Sequence, residues 1–164
     1  MPGVTVGDRA PPMELLTVDG RRRSLAADLA AGPVLVVFWK TTCRTCDLAF
    51  PYLNKLVLAY GKGGWRLWAV SQDPPKQSAE YGRRFHLLGD ILVDGEGWPA
   101  SCLYDPPATP SLYLVEPGGR VEATSVAFNK EDLNDISRRL AVYLGREPVV
   151  VAEPGDGNPD FRPG

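Results

Sequence analysis

Residues 34–39, Val-Leu-Val-Val-Phe-Trp, form an unbroken apolar run rich in β-branched side chains. A strand of this kind has no polar face to turn toward water, so it suits the centre of a sheet covered on both faces. Helical periodicity follows at once. Over residues 43–60, Leu48, Tyr52, Leu56 and Ala59 or Tyr60 share one face, and Gly61, Gly63 and Gly64 supply stop signals. Residues 65–71 read as a second buried strand. Residues 75–85 read as a second helix, polar on one side, and 91–93 as a short strand before Asp94-Gly95.

The flanks fit the same plan. Residues 11–24 read as a β-hairpin turning at Asp19-Gly20, and residues 24–31 as a short helical turn closed by Gly32-Pro33. Residues 97–110, with four prolines, read as a loop. A second hairpin is expected over 111–115 and 120–125. A final amphipathic helix over 130–144 carries Leu133, Ile136, Leu140 and Leu144 as its stripe and Gly145 as its C-cap. The order ββ, βα, βα, ββα predicts an α/β fold with a mixed central sheet flanked by helices. Residues 1–146 form one domain in this reading. Residues 147–164 read as a flexible Pro/Gly-rich tail, because from Ala152 on the composition turns to Pro, Gly, Asp and Asn with Phe161 as the one large apolar residue.

Composition excludes several function classes. The formal net charge of −2 offers no basic field for nucleic acid, and Arg21-Arg22-Arg23 reads as a solvated hairpin end. No run reaches the 18 apolar residues of a membrane span. The first residues lack a charged and then hydrophobic leader, so the expectation is a cytoplasmic protein, or a periplasmic one if a signal peptide has been removed. A monomer is expected, with no cofactor and no metal. Three cysteines are too few for a disulfide scaffold in 164 residues.

Cys43 and Cys46 stand where the buried strand hands over to the helix. Residues three apart on a helix are neighbours within the span of a disulfide, so the pair can open and close with little backbone movement. The helix start directs N–H groups and a positive dipole end at Cys43, and Lys40 and Arg44 flank it. All favour thiolate, the attacking species. Cys43 is then the attacking thiol and Cys46 the resolving one. Two other readings stay open: two small buried apolar side chains, or half of a zinc site completed by Cys102 and His86. Pro51 falls within the helix, where proline breaks a hydrogen bond. Thr109-Pro110 precedes a strand, where a cis bond would aim the backbone of residue 109 at an approaching peptide. Cys102 reads first as a small buried apolar residue, and second as a further redox thiol.

Residues 38–46 (Phe-Trp-Lys-Thr-Thr-Cys-Arg-Thr-Cys), Phe50-Pro51, Val70-Ser71-Gln72-Asp73 and Ala108-Thr109-Pro110-Ser111 together resemble the TlpA/redoxin group of thioredoxin-like proteins, related to AhpC/TSA. The likeness spans roughly residues 8–145. It implies a thioredoxin fold with an added N-terminal β-hairpin, and thiol–disulfide exchange with protein disulfides or dithiols fed by an unidentified electron donor. It also implies that Cys43 is the nucleophile and Cys46 the resolving cysteine, with Pro110 a cis-proline preceded by Thr109. Four features depart from thioredoxin proper. Thr42 replaces a tryptophan, Arg44-Thr45 replaces Gly-Pro, Val37 replaces a buried acid, and Val126-Ala127-Phe128 lacks a glycine. Glu96 is a candidate acid/base in its place. The competing enzyme class is a peroxiredoxin-like peroxidase, which needs threonine where this chain has Lys40. A redox-sensing or zinc-binding module is the non-catalytic alternative.

Overall fold

The computed structural model describes residues 3–164. Glu14–Thr17 (β1) and Arg22–Ser24 (β2) form the expected antiparallel hairpin, with Gly20 at φ +86° in its turn. Leu25–Leu29 (α1) begins at Ser24, whose hydroxyl accepts from Ala27 N–H. Val34–Trp39 (β3) leads to Arg44–Tyr60 (α2), then Arg66–Ser71 (β4) and Pro75–Arg84 (α3). Asp90–Val93 (β5), Pro99–Tyr104 (α4), Ser111–Val115 (β6) and Val121–Val126 (β7) follow. The chain closes with Phe128–Asn129 (β8), Lys130–Leu144 (α5) and Phe161–Arg162 (β9).

Seven strands make one sheet in the order β2-β1-β5-β4-β3-β6-β7. Strands β5, β4 and β3 run parallel, and the remaining pairs are antiparallel. All six residues of β3 are buried, and their alternation explains the apolar run. Leu35, Val37 and Trp39 point into a core with α2, α3 and α5, while Val34, Val36 and Phe38 point into a second core with α1 and α4. Each face of a central strand needs its own apolar set. Among the described residues no helix is long and apolar enough to cross a membrane.

The structure corrects three expectations. Residues 97–110 are not all loop, because α4 forms inside them. Its first turn is capped by Asp94, whose carboxylate accepts from Ala100 N–H at 2.7 Å and Ser101 N–H at 2.8 Å, and Pro99 occupies a first-turn position where its missing N–H costs nothing. The arginine run is not uniformly solvated either. Arg21 pairs with Asp19 in the open, but Arg23 folds back onto the Asp28 carboxylate at 2.9 Å.

The third correction is the largest. Residues 147–164 are not a flexible tail; they pack along α5 and α2 and end in a separate two-stranded sheet with β8. Val151 and Ala152 are buried, and Asn134 clamps both: its Oδ1 accepts from their N–H groups at 3.0 Å, and its Nδ2 donates to Ala152 O at 2.9 Å. Lys130 is only 4% exposed. Its ammonium donates to Asp156 Oδ1 at 2.6 Å, Glu153 O at 2.9 Å and Asn158 O at 3.0 Å. The Lys130 charge holds the Asp156 carboxyl well below the usual carboxylate range, aided by the Tyr52 hydroxyl, which donates to the same group. β9 then pairs with β8 through Asn129↔Phe161 and Phe128↔Arg162. A tail poor in apolar residues is thus ordered by polar groups that satisfy a buried cation.

Candidate active site

Strand β3 ends at Trp39, and four residues, 40–43, carry the chain to the start of α2. Thr41 N–H donates to Asp73 Oδ2 at 2.7 Å, tying this loop to the one after β4. Cys43 is the N-cap of α2. Its backbone is extended, and its sulfur accepts from Cys46 N–H at 3.1 Å. The cap places one thiol at the surface and the other one turn inside. Cys43 is part-exposed, while Cys46 is fully buried. Both are free thiols.

Burial pushes the Cys46 thiol above its ordinary value of 9.0, and the adjacent Cys43 sulfur acts in the same direction. Behind the pair stands an aromatic wall. The Trp39 ring lies 4.6 Å from Tyr81 and 5.1 Å from Phe50. The Tyr81 hydroxyl donates to Asp47 Oδ1 at 2.7 Å. Burial and the Asp47 carboxylate together push the Tyr81 hydroxyl well above its usual range. Val37, at the position of the thioredoxin acid, is buried in apolar surroundings.

The loop before β6 completes the site. The Thr109–Pro110 bond is cis, and the Cys43 thiol lies 3.3 Å from Thr109 O, within donating distance. Cys43 opens onto a cleft of about 530 Å³ whose walls include Lys40, Arg44, Thr45 and Thr109. The structure therefore brings Cys43, Cys46, Lys40, Arg44, Thr109 and Pro110 together. Glu96 is not brought in. It is exposed and lines a different cleft with Gln72, Pro74 and Trp98.

Cys102 corrects the first expectation made for it: it is exposed on α4, its sulfur 3.6 Å from Gly97 O. His86 is in the turn after α3, and among the described residues no three His, Cys, Asp or Glu side chains converge as metal ligands. Two features went unread in the sequence. One is Tyr81, which looked like any helix aromatic. The other is the segment Arg162-Pro163-Gly164, which forms one wall of the Cys43 cleft. The signal for the second was present: a lysine opening an apolar helix stripe, and Asp156 and Asp160 in the tail.

A profile of the AhpC/TSA family matches residues 6–124. The thiol-disulfide oxidoreductase ResA of Geobacillus thermodenitrificans is 31% identical over 132 residues, covering 79% of this chain and 75% of that protein. Among solved structures, the thioredoxin domain of a thiol-disulfide oxidoreductase from Bacteroides vulgatus superposes with a TM-score of 0.74 at 23% identity, over 84% of this chain and 98% of that one. The peroxidoxin BcpB of Mycobacterium tuberculosis gives 0.70 at 16% identity, over 87% and 97%. At these identities the two structures establish a shared thioredoxin-like fold.

Proposed function

The chain belongs to the AhpC/TSA family and is a thiol–disulfide oxidoreductase, and we propose that Cys43 and Cys46 are the pair that carries its exchange. The observation that supports this assignment is the N-cap geometry: Cys43 faces an open cleft with its sulfur on Cys46 N–H, and Cys46 is buried directly behind. A bulky protein disulfide can reach only the first thiol.

Reduction of a substrate then runs in two displacements. The Cys43 thiolate attacks one sulfur of the substrate disulfide, its S–S bond breaks, and one substrate thiolate leaves and takes up a proton. Cys46 gives up its proton and attacks the Cys43 sulfur, breaking the mixed disulfide and releasing the second substrate thiol. Two electrons and two protons pass to the substrate, and the Cys43–Cys46 disulfide remains for an external donor to reduce. Run backward, the same steps oxidise a dithiol. Burial that favours the protonated Cys46 thiol keeps the second step dormant until a mixed disulfide forms on Cys43. Thr109 and Pro110 shape the opposite wall.

The test is a pair of serine variants with insulin as the disulfide substrate. Cys43→Ser abolishes reduction, and Cys46→Ser accumulates mixed disulfides visible on a non-reducing gel. Trapping by Cys43→Ser in place of Cys46→Ser reverses the roles. Hydrogen peroxide consumption with dithiothreitol, run beside it, tests the peroxidase class; Lys40 at the position that class fills with threonine favours the exchange reading.

A further inference from the structure

One wall of the cleft beside Cys43 is itself a peptide, the chain's own residues 162–164. The Thr45 side chain, almost buried, donates its hydroxyl hydrogen to Pro163 O at 2.6 Å. Gly164 rests on the cis-proline loop so closely that a side-chain carbon placed on it would stand 2.3 Å from Thr109 O and 3.0 Å from Ala108 Cβ. Thr109 O is the same carbonyl that faces the Cys43 thiol. Thr45 and Thr109 therefore bracket a strip next to the reactive sulfur that accepts extended backbone and, at one place, nothing larger than glycine.

How the segment is held matters as much as where it lies. Its base is fastened by the buried pair Val151 and Ala152 and by the Lys130 contacts to residues 153–158. Its tip is not. β9 is two residues long, both exposed, and Phe161 is 55% exposed despite its size. The tip thus contributes few apolar contacts and can leave while the base stays, as weakly packed segments open first. Once it leaves, the Thr45 hydroxyl has lost its carbonyl and is free to donate to an incoming one.

We propose that residues 161–164 are a resident occupant of the strip between Thr45 and Thr109, where the backbone of a substrate protein would lie, and that they are displaced before exchange. The inference rests on the assignment of exchange to Cys43 and Cys46. It makes Thr45 the reader of a substrate carbonyl and selects substrates with a small residue over Thr109. It also makes the resting enzyme slower on protein disulfides than its dithiol alone would be.

Two variants test it without touching the dithiol. A chain ending at Asp160 removes the tip and keeps every Lys130 partner, including Asp160 O, which accepts from Lys130 N–H. Gly164→Leu keeps the segment but cannot seat residue 164 against Thr109. Each is assayed with insulin, which must enter the strip, and with hydroxyethyl disulfide, which is small enough to reach Cys43 without it. The expected result is insulin reduction two- to tenfold faster in both variants, the range one net hydrogen bond is worth in an equilibrium, with the small disulfide unchanged. Insulin rates equal to or below the parent's, with the small disulfide still exchanged, overturn the occupant and leave the exchange assignment standing. No exchange with either disulfide in any of the three chains overturns the exchange assignment itself, and the occupant with it.

Discussion

Val151→Ala separates an ordered from a free C-terminal segment with one substitution. Val151 is 2% exposed and packs into the core shared by α2 and α5. The change removes two buried carbons, and at about 0.8 kcal/mol each the transfer loss is about 1.6 kcal/mol. Incomplete collapse around the vacated volume raises it toward about 2.5 kcal/mol. For a chain of this size that lowers Tm by about 3–10 °C. Guanidinium unfolding followed by circular dichroism should show a lower midpoint with an unchanged slope, the mark of lost stability without a change in the unfolding unit. Val150→Ala is the control: that side chain is 54% exposed, and its loss should stay within about 0.5 kcal/mol. If Val151→Ala also falls within about 0.5 kcal/mol, the packed segment is refuted, and the occupant of the Cys43 cleft loses its anchor.

Three further outcomes follow from the geometry. Because burial raises the Cys46 thiol above 9.0 in the folded state, the reduced protein keeps this contribution to stability below pH 9 and loses it as pH rises, by up to about 1.4 kcal/mol per pH unit. The disulfide form lacks that proton, so the reduced-minus-oxidised stability difference should fall between pH 9 and 11, and a flat difference refutes the burial argument. Gly32→Ala would place its Cβ 1.9 Å from Gly64 O at φ +152°; this should cost about 1–3 kcal/mol, and unchanged denaturation would show that the two loops do not touch. With Lys40 and Arg44 on the walls of the Cys43 cleft and Val37 in place of the buried acid, the reduction potential should lie at roughly −260 to −180 mV, between those of thioredoxin and protein disulfide isomerase. Glutathione equilibration measures it, and a value below thioredoxin's refutes the charge argument.

What the sequence made legible was local. The six residues of β3 announced a doubly covered strand because each carries its own apolar side chain, and the structure sends them alternately to two cores. Cys43 at the start of the α2 stripe marked the N-cap, which needs only three consecutive neighbours to form. The helix α4 was hidden because its cap comes from Asp94, five positions before Pro99 and separated by glycines that read as loop. Ala127 shows the converse: the glycine expected there is absent, yet the backbone still takes φ +69°, so the fold imposed the conformation that the residue type did not advertise.

The C-terminal segment failed to show for a deeper reason. Counting apolar side chains gauges whether a segment can collapse on its own, and by that measure residues 153–164 cannot. The groups that order them are elsewhere: Lys130 meets Asp156 across 26 positions, Tyr52 meets Asp156 across 104, and Thr45 meets Pro163 across 118. A buried ammonium with no partner is far costlier than the entropy of a short ordered strand, so α5 cannot bury Lys130 unless some chain brings carboxylate and carbonyl oxygens to it. The need is created at residue 130 and met more than twenty residues later, and no window of local sequence contains both ends. The same segment, brought in to satisfy a buried charge, runs on past it to the cleft beside Cys43.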